Sequence, residues 1–279
     1  MSGRVAIGST TVLSLSDIAI RAFDIANIFP DVPLDTWQTS YPDEVTAENK
    51  LQTNMGCFLI RSQGLTILVD SGIGPGPIGF LGGAGGQLLE DMKNAGISAN
   101  EIDIAVFTHL HGDHVGWNTY SDNGTLRPTF SKARYLIPKG DYEYFSSPGV
   151  IERSGHMDTA VFPIRDLGLM DLVEGGHNVT SEVTLVATPG HTPGHVSVAI
   201  ASGGEQGFIL GDVLTTPAQI ENPQWSPTLD VDPDRARETR GKILDRLEKD
   251  KSLVGAGHFL APSFGHILRA NGKRYWQKI

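Results

Sequence analysis

The sequence predicts a mixed α/β fold in a single domain over residues 1–279, and three observations carry that expectation. Apolar, β-branched runs of strand length fall into two groups separated by helical segments. Histidines and aspartates stand at the ends of such runs in both halves of the chain. No linker, repeat or low-complexity stretch divides it. At 279 residues, with 39% hydrophobic and 19% charged, the chain can bury a substantial core and reads as an ordinary soluble protein.

Taken in order, Val5 to Leu15 alternates loosely and suggests an opening strand or hairpin with a turn at Gly8. Residues 21–54 lack clean periodicity and read as an irregular apolar arm that covers a pocket, packs across a dimer interface or closes over the core. Cys57 to Ile60 and Thr66 to Asp70 form a hairpin through RSQGL, ending in the carboxylate of Asp70. Residues 72–86 are glycine-rich but lack the Gly-Lys-Ser/Thr ending of a phosphate loop. They read as a mobile loop beside a pocket, with Phe80 and Leu81 as candidate substrate contacts. Leu88, Leu89, Met92 and Ala95 recur at helical spacing before Gly96, giving a helix from about 86 to 95 and then a strand from Ile102 to Thr108.

The second half follows the same grammar. Ala133 to Pro138 reads as a strand and Gly140 to Phe145 as a short helix, with Tyr142, Tyr144, Phe145 and Phe162 as core or pocket aromatics. Strands are expected at Val183 to Ala187, Val196 to Ala201, Gln206 to Leu210 and Leu253 to Gly257. Asp232-Pro233 opens a long amphipathic helix carrying Ala236, Ile243, Leu244 and Leu247 on one face. Asn271-Gly272 marks a closing hairpin.

Composition excludes several function classes. A formal net charge of −10 does not suit a polyanionic partner, so nucleic acid is not expected. The lone Cys57 excludes an internal disulfide and suits a reducing, cytoplasmic compartment, and its apolar setting reads as core. No run approaches the roughly 18 apolar residues that a membrane span needs. No Gly-x-Ser-x-Gly nucleophile motif is present.

The chemistry concentrates in Ile104 to Asn118, where His109, His111, Asp113 and His114 follow an apolar strand. Two histidines two apart on an extended segment point to one side, and imidazole with carboxylate is the donor set zinc favours. Further candidates are His191 in TPGHTPGH, Asp212 after the strand ending at Leu210, and His258 after the last buried strand. His195 fits a structural role; His156 and His177 stand as weaker candidates for a catalytic role, and His266 as a weaker candidate for a place at the pocket.

The pattern His109-x-His111-x-Asp113-His114, with His191, Asp212 and His258, resembles the metallo-β-lactamase superfamily. That resemblance implies an αββα sandwich. It implies a first metal on His109, His111 and His191, a second on Asp113, His114 and His258, and Asp212 between them. Asp70 would orient a metal-bound histidine, and Asp113 would also carry a proton. The cofactors implied are two zinc ions per chain, although such donors also accept manganese, cobalt or iron. A hydroxide held by the metals would then cleave a small-molecule substrate.

Within the superfamily, flavodiiron members have glutamate where this chain has His111, and several true β-lactamases have cysteine in place of Asp212. Glyoxalase II enzymes append a helical region, and RNA-processing members carry basic surfaces. LDVDPDRARETR and GHFLAPSFGHI look like methyl parathion hydrolase and its relatives, and TPGHTPGHVSV is similar to acyl-homoserine lactonases. Those lactonases carry a tyrosine where this chain has Thr215. The function expected is hydrolysis of a small neutral lactone or carboxylic ester, with organophosphate triesters as a related substrate, by a homodimer. A mononuclear iron sulfur dioxygenase and a non-catalytic metal-binding module are the alternatives.

Overall fold

Alternation of side chains along the central strands decides the architecture. The computed structural model describes residues 3–279, without the side chains of Ile20, Arg21 and Phe80. Its first strands are β1 (Arg4–Ile7), β2 (Thr10–Asp24), β3 (Lys50–Ser62), β4 (Leu65–Val69) and β5 (Ile104–Val106). A hairpin of β6 (Thr119–Asp122) and β7 (Thr125–Pro128) stands apart, before β8 (Arg134–Pro138) and β9 (Met170–Val173). One sheet has the order β1-β2-β3-β4-β5-β8-β9. The other comprises β10 (Val183–Ala187), β11 (Val196–Ser202), β12 (Glu205–Ile209), β13 (Leu253–Gly255), β14 (Phe264–Ala270) and β15 (Lys273–Lys278), in that order.

Val12, Ile60, Ile67, Val69 and Val106 of the first sheet meet Leu185, Val198, Ile200 and Ile209 of the second in one buried layer. Leu13, Leu59, Leu68 and Ala105 face the other way, onto Leu88 and Met92 of the helix Leu88–Asn94 and onto Met157, Val161 and Ile164. Phe208, Leu210 and Val254 likewise face Ile243, Leu244 and Leu247 of the helix Pro233–Asp250. Two sheets with helices outside form the αββα sandwich. Because both faces of the central strands are covered, the strands read as continuous apolar runs. Each fully buried Leu, Ile or Val stabilises this arrangement by about 1.5–3 kcal/mol.

Turn chemistry follows the residue types. Gly8 has φ +57°, and Asn271 and Gly272 have φ +52° and +80°, as two-residue hairpins require. The Asp232 side chain accepts from the Arg235 amide at 3.0 Å and opens the long helix.

The arm begins later than residue 21. β2 runs to Asp24 and β3 starts at Lys50, and these two residues pair with each other. Register shifts between Ser16 and Ile18 and between Ile18 and Arg21 reverse the alternation, which hides the strand from a period-of-two reading. The arm proper closes over the chain's own core: Trp37, fully buried, packs 5.3 Å from Phe29 and 5.1 Å from Trp225 between ring centroids. The β6-β7 hairpin, the helical segment 157–166 and β9 were not expected from the sequence.

Glu44 fastens the arm, accepting a hydrogen bond from Thr216 Oγ1 at 3.1 Å. Burial pushes its carboxyl up to about 7, from an ordinary value of 4.5. The stability that the protonated group contributes is therefore complete below pH 4.5 and lost as pH rises through 7. Glu44→Gln should match the wild type near pH ~5 and exceed it by on the order of 1 kcal/mol near pH ~8 in urea titrations. An equal difference at both pH values would contradict this reading.

Candidate metal centre

The residues singled out in the sequence converge at one edge of the sandwich, each delivered by the chain just beyond a strand. His109 and His111 follow β5, and the short helix Gly112–Val115 carries Asp113 and His114. His191 lies in the turn between β10 and β11, Asp212 in the turn after β12, and His258 after β13. Gly116 allows the loop to fold onto its neighbour, since a Cβ there would sit 2.0 Å from the Ile73 carbonyl carbon.

His111 Nδ1 stands 3.0 Å from both His109 Nε2 and His191 Nε2. Asp212 reaches across the site: Oδ2 is 3.2 Å from His191 Nε2 and 3.1 Å from His258 Nε2, and Oδ1 is 3.4 Å from His114 Nε2. Asp113 Oδ2 is 3.8 Å from the Nε2 atoms of His114 and His258. Three sets of donor atoms each lie within 4.8 Å of one another: His109, His111 and His191; His109, His114 and Asp212; Asp113, His114 and His258.

The far nitrogens of four imidazoles are anchored. Thr108 Oγ1 is 3.0 Å from His109 Nδ1 and donates to Asp70 Oδ2 at 2.8 Å. The same Asp70 oxygen is 2.9 Å from His114 Nδ1. Asp230 Oδ1 is 2.9 Å from His191 Nδ1, and the Asn54 carbonyl is 2.9 Å from His258 Nδ1. Beside that last contact, Gly56 N donates to the Gly257 carbonyl at 3.0 Å, so β3 of one sheet is stitched to the turn leaving the other.

Electrostatics shows what the group lacks. Burial and the positive character of neighbouring imidazoles hold His109 well below its usual range and push His111 down to about 3. Burial opposes a charged His114 and His258, yet Asp212 and the other carboxylates raise them to about 10 and about 9. Asp212, despite its burial, is held well below the carboxylate range by His258, His114, His109 and His191. His114 Nε2 and Asp212 Oδ1 are buried with no hydrogen-bond partner. Crowded lone pairs with fixed far nitrogens and orphaned donor atoms fit divalent cations.

Above these residues lies a cavity of about 380 Å³ walled by Phe23, Ile28, Leu51, Met55, Phe145 and Leu229. It continues into an outer cavity of about 730 Å³ between the glycine-rich loop, Ile73 to Ile78, and Tyr120 and Leu126 of the β6-β7 hairpin. Thr215 and Arg153 stand on the inner wall.

Several weaker candidates resolve. His195 is structural: Nε2 accepts from the Asp212 amide at 2.9 Å, and Nδ1 is 2.8 Å from Thr188 Oγ1. His156 lines the cavity, whereas His177 is exposed beside β10 and His266 faces the Ser252 carbonyl away from the centre. Leu81 is buried against Ile18 and Met55 and does not line the cavity; the side chain of Phe80 lies outside the described residues. Of the aromatics, Phe145 reaches the cavity while Tyr142, Tyr144 and Phe162 pack on the core. Trp225, in the irregular stretch after Asp212, packs on Trp37 of the arm.

Two residues at the site were missed in the sequence. Asp230 sits in a run of acids that reads as a helix cap. Asp141 sits in an ordinary helix start, yet it accepts from Leu110 N at 3.0 Å, Thr192 Oγ1 at 2.8 Å and Gly194 N at 2.6 Å. It thereby ties the His109–His111 loop to the His191 loop. No local signal marks either residue, because their partners are distant in sequence.

Fold and site together define a metallo-hydrolase scaffold. Residues 56–258 match the metallo-beta-lactamase superfamily, and the chain belongs to it. Among curated relatives, an N-acyl homoserine lactonase of Bacillus cereus is 26% identical over 239 residues, covering 79% of this chain and 87% of the relative. The N-acyl homoserine lactonase AiiA of Bacillus thuringiensis subsp. kurstaki is 24% identical over 238 residues, with the same coverage of both chains. Among solved structures, the hydrolase AbOPH of the beta lactamase superfamily superimposes with a TM-score of 0.85 at 24% identity, covering 100% of this chain and 97% of that one. AidC, a dizinc quorum-quenching lactonase in complex with a product, gives 0.83 at 20% identity with the same coverage.

Asp141 gives a direct test of how the site is held. Asp141→Ala leaves two backbone amides and a hydroxyl without their acceptor, and should lower stability by about 2–4 kcal/mol in urea titration. A loss below ~0.5 kcal/mol would show that the two loops are held by other contacts.

Proposed function

We propose that this protein is a dinuclear metal-dependent hydrolase that opens a small neutral lactone or cleaves a related carboxylic ester. The observation that carries the reading is the convergence of histidine and aspartate donor atoms, two of them buried without a hydrogen-bond partner, at the floor of an apolar cavity. His109, His111 and His191 would hold one ion and Asp113, His114 and His258 the other, with Asp212 touching both. Zinc suits these donors, and a dizinc lactonase shares the fold.

When bound, the ions supply a nucleophile from water at neutral pH and a positive pole for charge developing on the substrate oxygen. The chain's own residues do the rest. Phe23, Met55, Phe145 and Leu229 seat the apolar part of a neutral substrate and exclude bulk water. Asp113 lines both cavities and can take a proton from the attacking water. It returns that proton to the ring oxygen as the carbonyl C–O bond breaks, leaving a hydroxy acid. Asp70 fixes the direction of His114 and, through Thr108, of His109. Thr215 replaces the tyrosine of the lactonases, and its hydroxyl already donates to Gln219 Oε1 at 3.2 Å, so it is not placed to polarise the substrate in the tyrosine's stead.

The test joins elemental analysis of purified protein to hydrolysis of lactones, aryl esters and methyl parathion. The expected outcome is two zinc ions per chain and turnover, fastest on lactones, that falls more than ~100-fold in His109→Ala. Fastest turnover of methyl parathion would make triester hydrolysis the main activity. One iron per chain without hydrolysis would replace the proposal with oxidation chemistry, and bound metal without any turnover with a non-catalytic role.

A further inference from the structure

Asp230 and Arg240 form a sealed pair directly behind His191. Asp230 Oδ1 is 2.9 Å from His191 Nδ1, and Oδ2 accepts from Arg240 Nη2 at 3.1 Å. Their side chains are 0% and 1% exposed. Three further donors of the guanidinium are engaged: Nε reaches the Val213 carbonyl at 2.9 Å, and Nη1 reaches the carbonyls of Pro223 and Trp225 at 2.9 Å each.

This pair has little freedom to move. The Val231 amide donates to the His191 carbonyl and the Asp232 amide to the Gly190 carbonyl, both at 3.0 Å. Gly190 lies so close to the long helix that a Cβ on it would be 2.3 Å from Ala236 N. A guanidinium taken out of water needs a fixed counter-charge, and the planar fork of arginine sets that carboxylate in one orientation. A carboxylate facing Nδ1 keeps the proton there and turns the Nε2 lone pair toward His111 and Asp212. Arg240 also holds Val213, the residue after Asp212. One buried guanidinium therefore braces both the His191 and the Asp212 segments.

Resting on the ligand assignment proposed above, we infer that Asp230, locked by Arg240, is the positioning residue for His191. It fixes the ring as its Nδ1–H tautomer and strengthens Nε2 as a donor in the His109–His111–His191 group.

The experiment compares wild type, Asp230→Asn and Asp230→Ala as metal-free proteins and in zinc titrations against a chelator. In the metal-free wild type, the His191 Nδ1–H should give a hydrogen-bonded proton resonance well downfield that Asp230→Ala lacks. Zinc should bind one of the two sites about 10–100-fold more weakly in Asp230→Ala, with Asp230→Asn between it and wild type and the other site unchanged. Two zinc ions bound by Asp230→Ala with wild-type affinities would overturn the inference. So would equal weakening of both sites alongside a large drop in the melting temperature of the metal-free protein, which marks a merely structural role. A wild type that takes up no zinc would overturn the ligand assignment itself, and this inference with it.

Discussion

The contact between the two sheets is the constraint on which the rest depends. Val69 and Val106 from one sheet and Val198 and Ile209 from the other pack in a single apolar layer. Interiors of this kind are packed like crystals, so the strands that meet there cannot slide independently. β4, β5, β10, β12 and β13 all end near one edge, and polar residues just beyond those ends are brought face to face. The dry, apolar layer locates a highly polar site that includes none of its own residues.

Much of this was legible in the chain. Strand-length apolar runs and the Asp232-Pro233 start gave the central strands and the long helix, because local chemistry decides them. The histidines and aspartates that converge were visible because donors clustered at strand ends are uncommon. What stayed hidden depends on distant partners. Asp141 and Asp230 look like surface acids until the loops that they bind are folded beside them. Register shifts between Ser16 and Ile18 and between Ile18 and Arg21 invert the pattern of β2, so its second half shows no strand periodicity. The β6-β7 hairpin carries mostly exposed residues, so no core periodicity announces it.

The cavity walls come from the least regular parts of the chain. The glycine-rich loop is held at its two ends by Asp17, which accepts from Ile73 N at 2.7 Å and Leu88 N at 2.8 Å. Asp17 also accepts from Trp117 Nε1 at 2.8 Å, just past the histidine loop. Its buried position raises its pKa, and backbone amides and the indole partly offset that rise. Loop, arm and hairpin can therefore vary in sequence while the polar floor keeps its shape, a division of labour that lets one scaffold serve different substrates.

The stitch between β3 and the turn at Gly257 and His258 has a consequence for how the chain coheres. His109, His111, Asp113 and His114 belong to the first sheet's half, whereas His191, Asp212 and His258 belong to the other. Any cation shared by these donors is a cross-link between halves. By thermodynamic linkage, its binding free energy adds to the cohesion of the sandwich, and the folded fraction then depends on free ion concentration as well as on core packing.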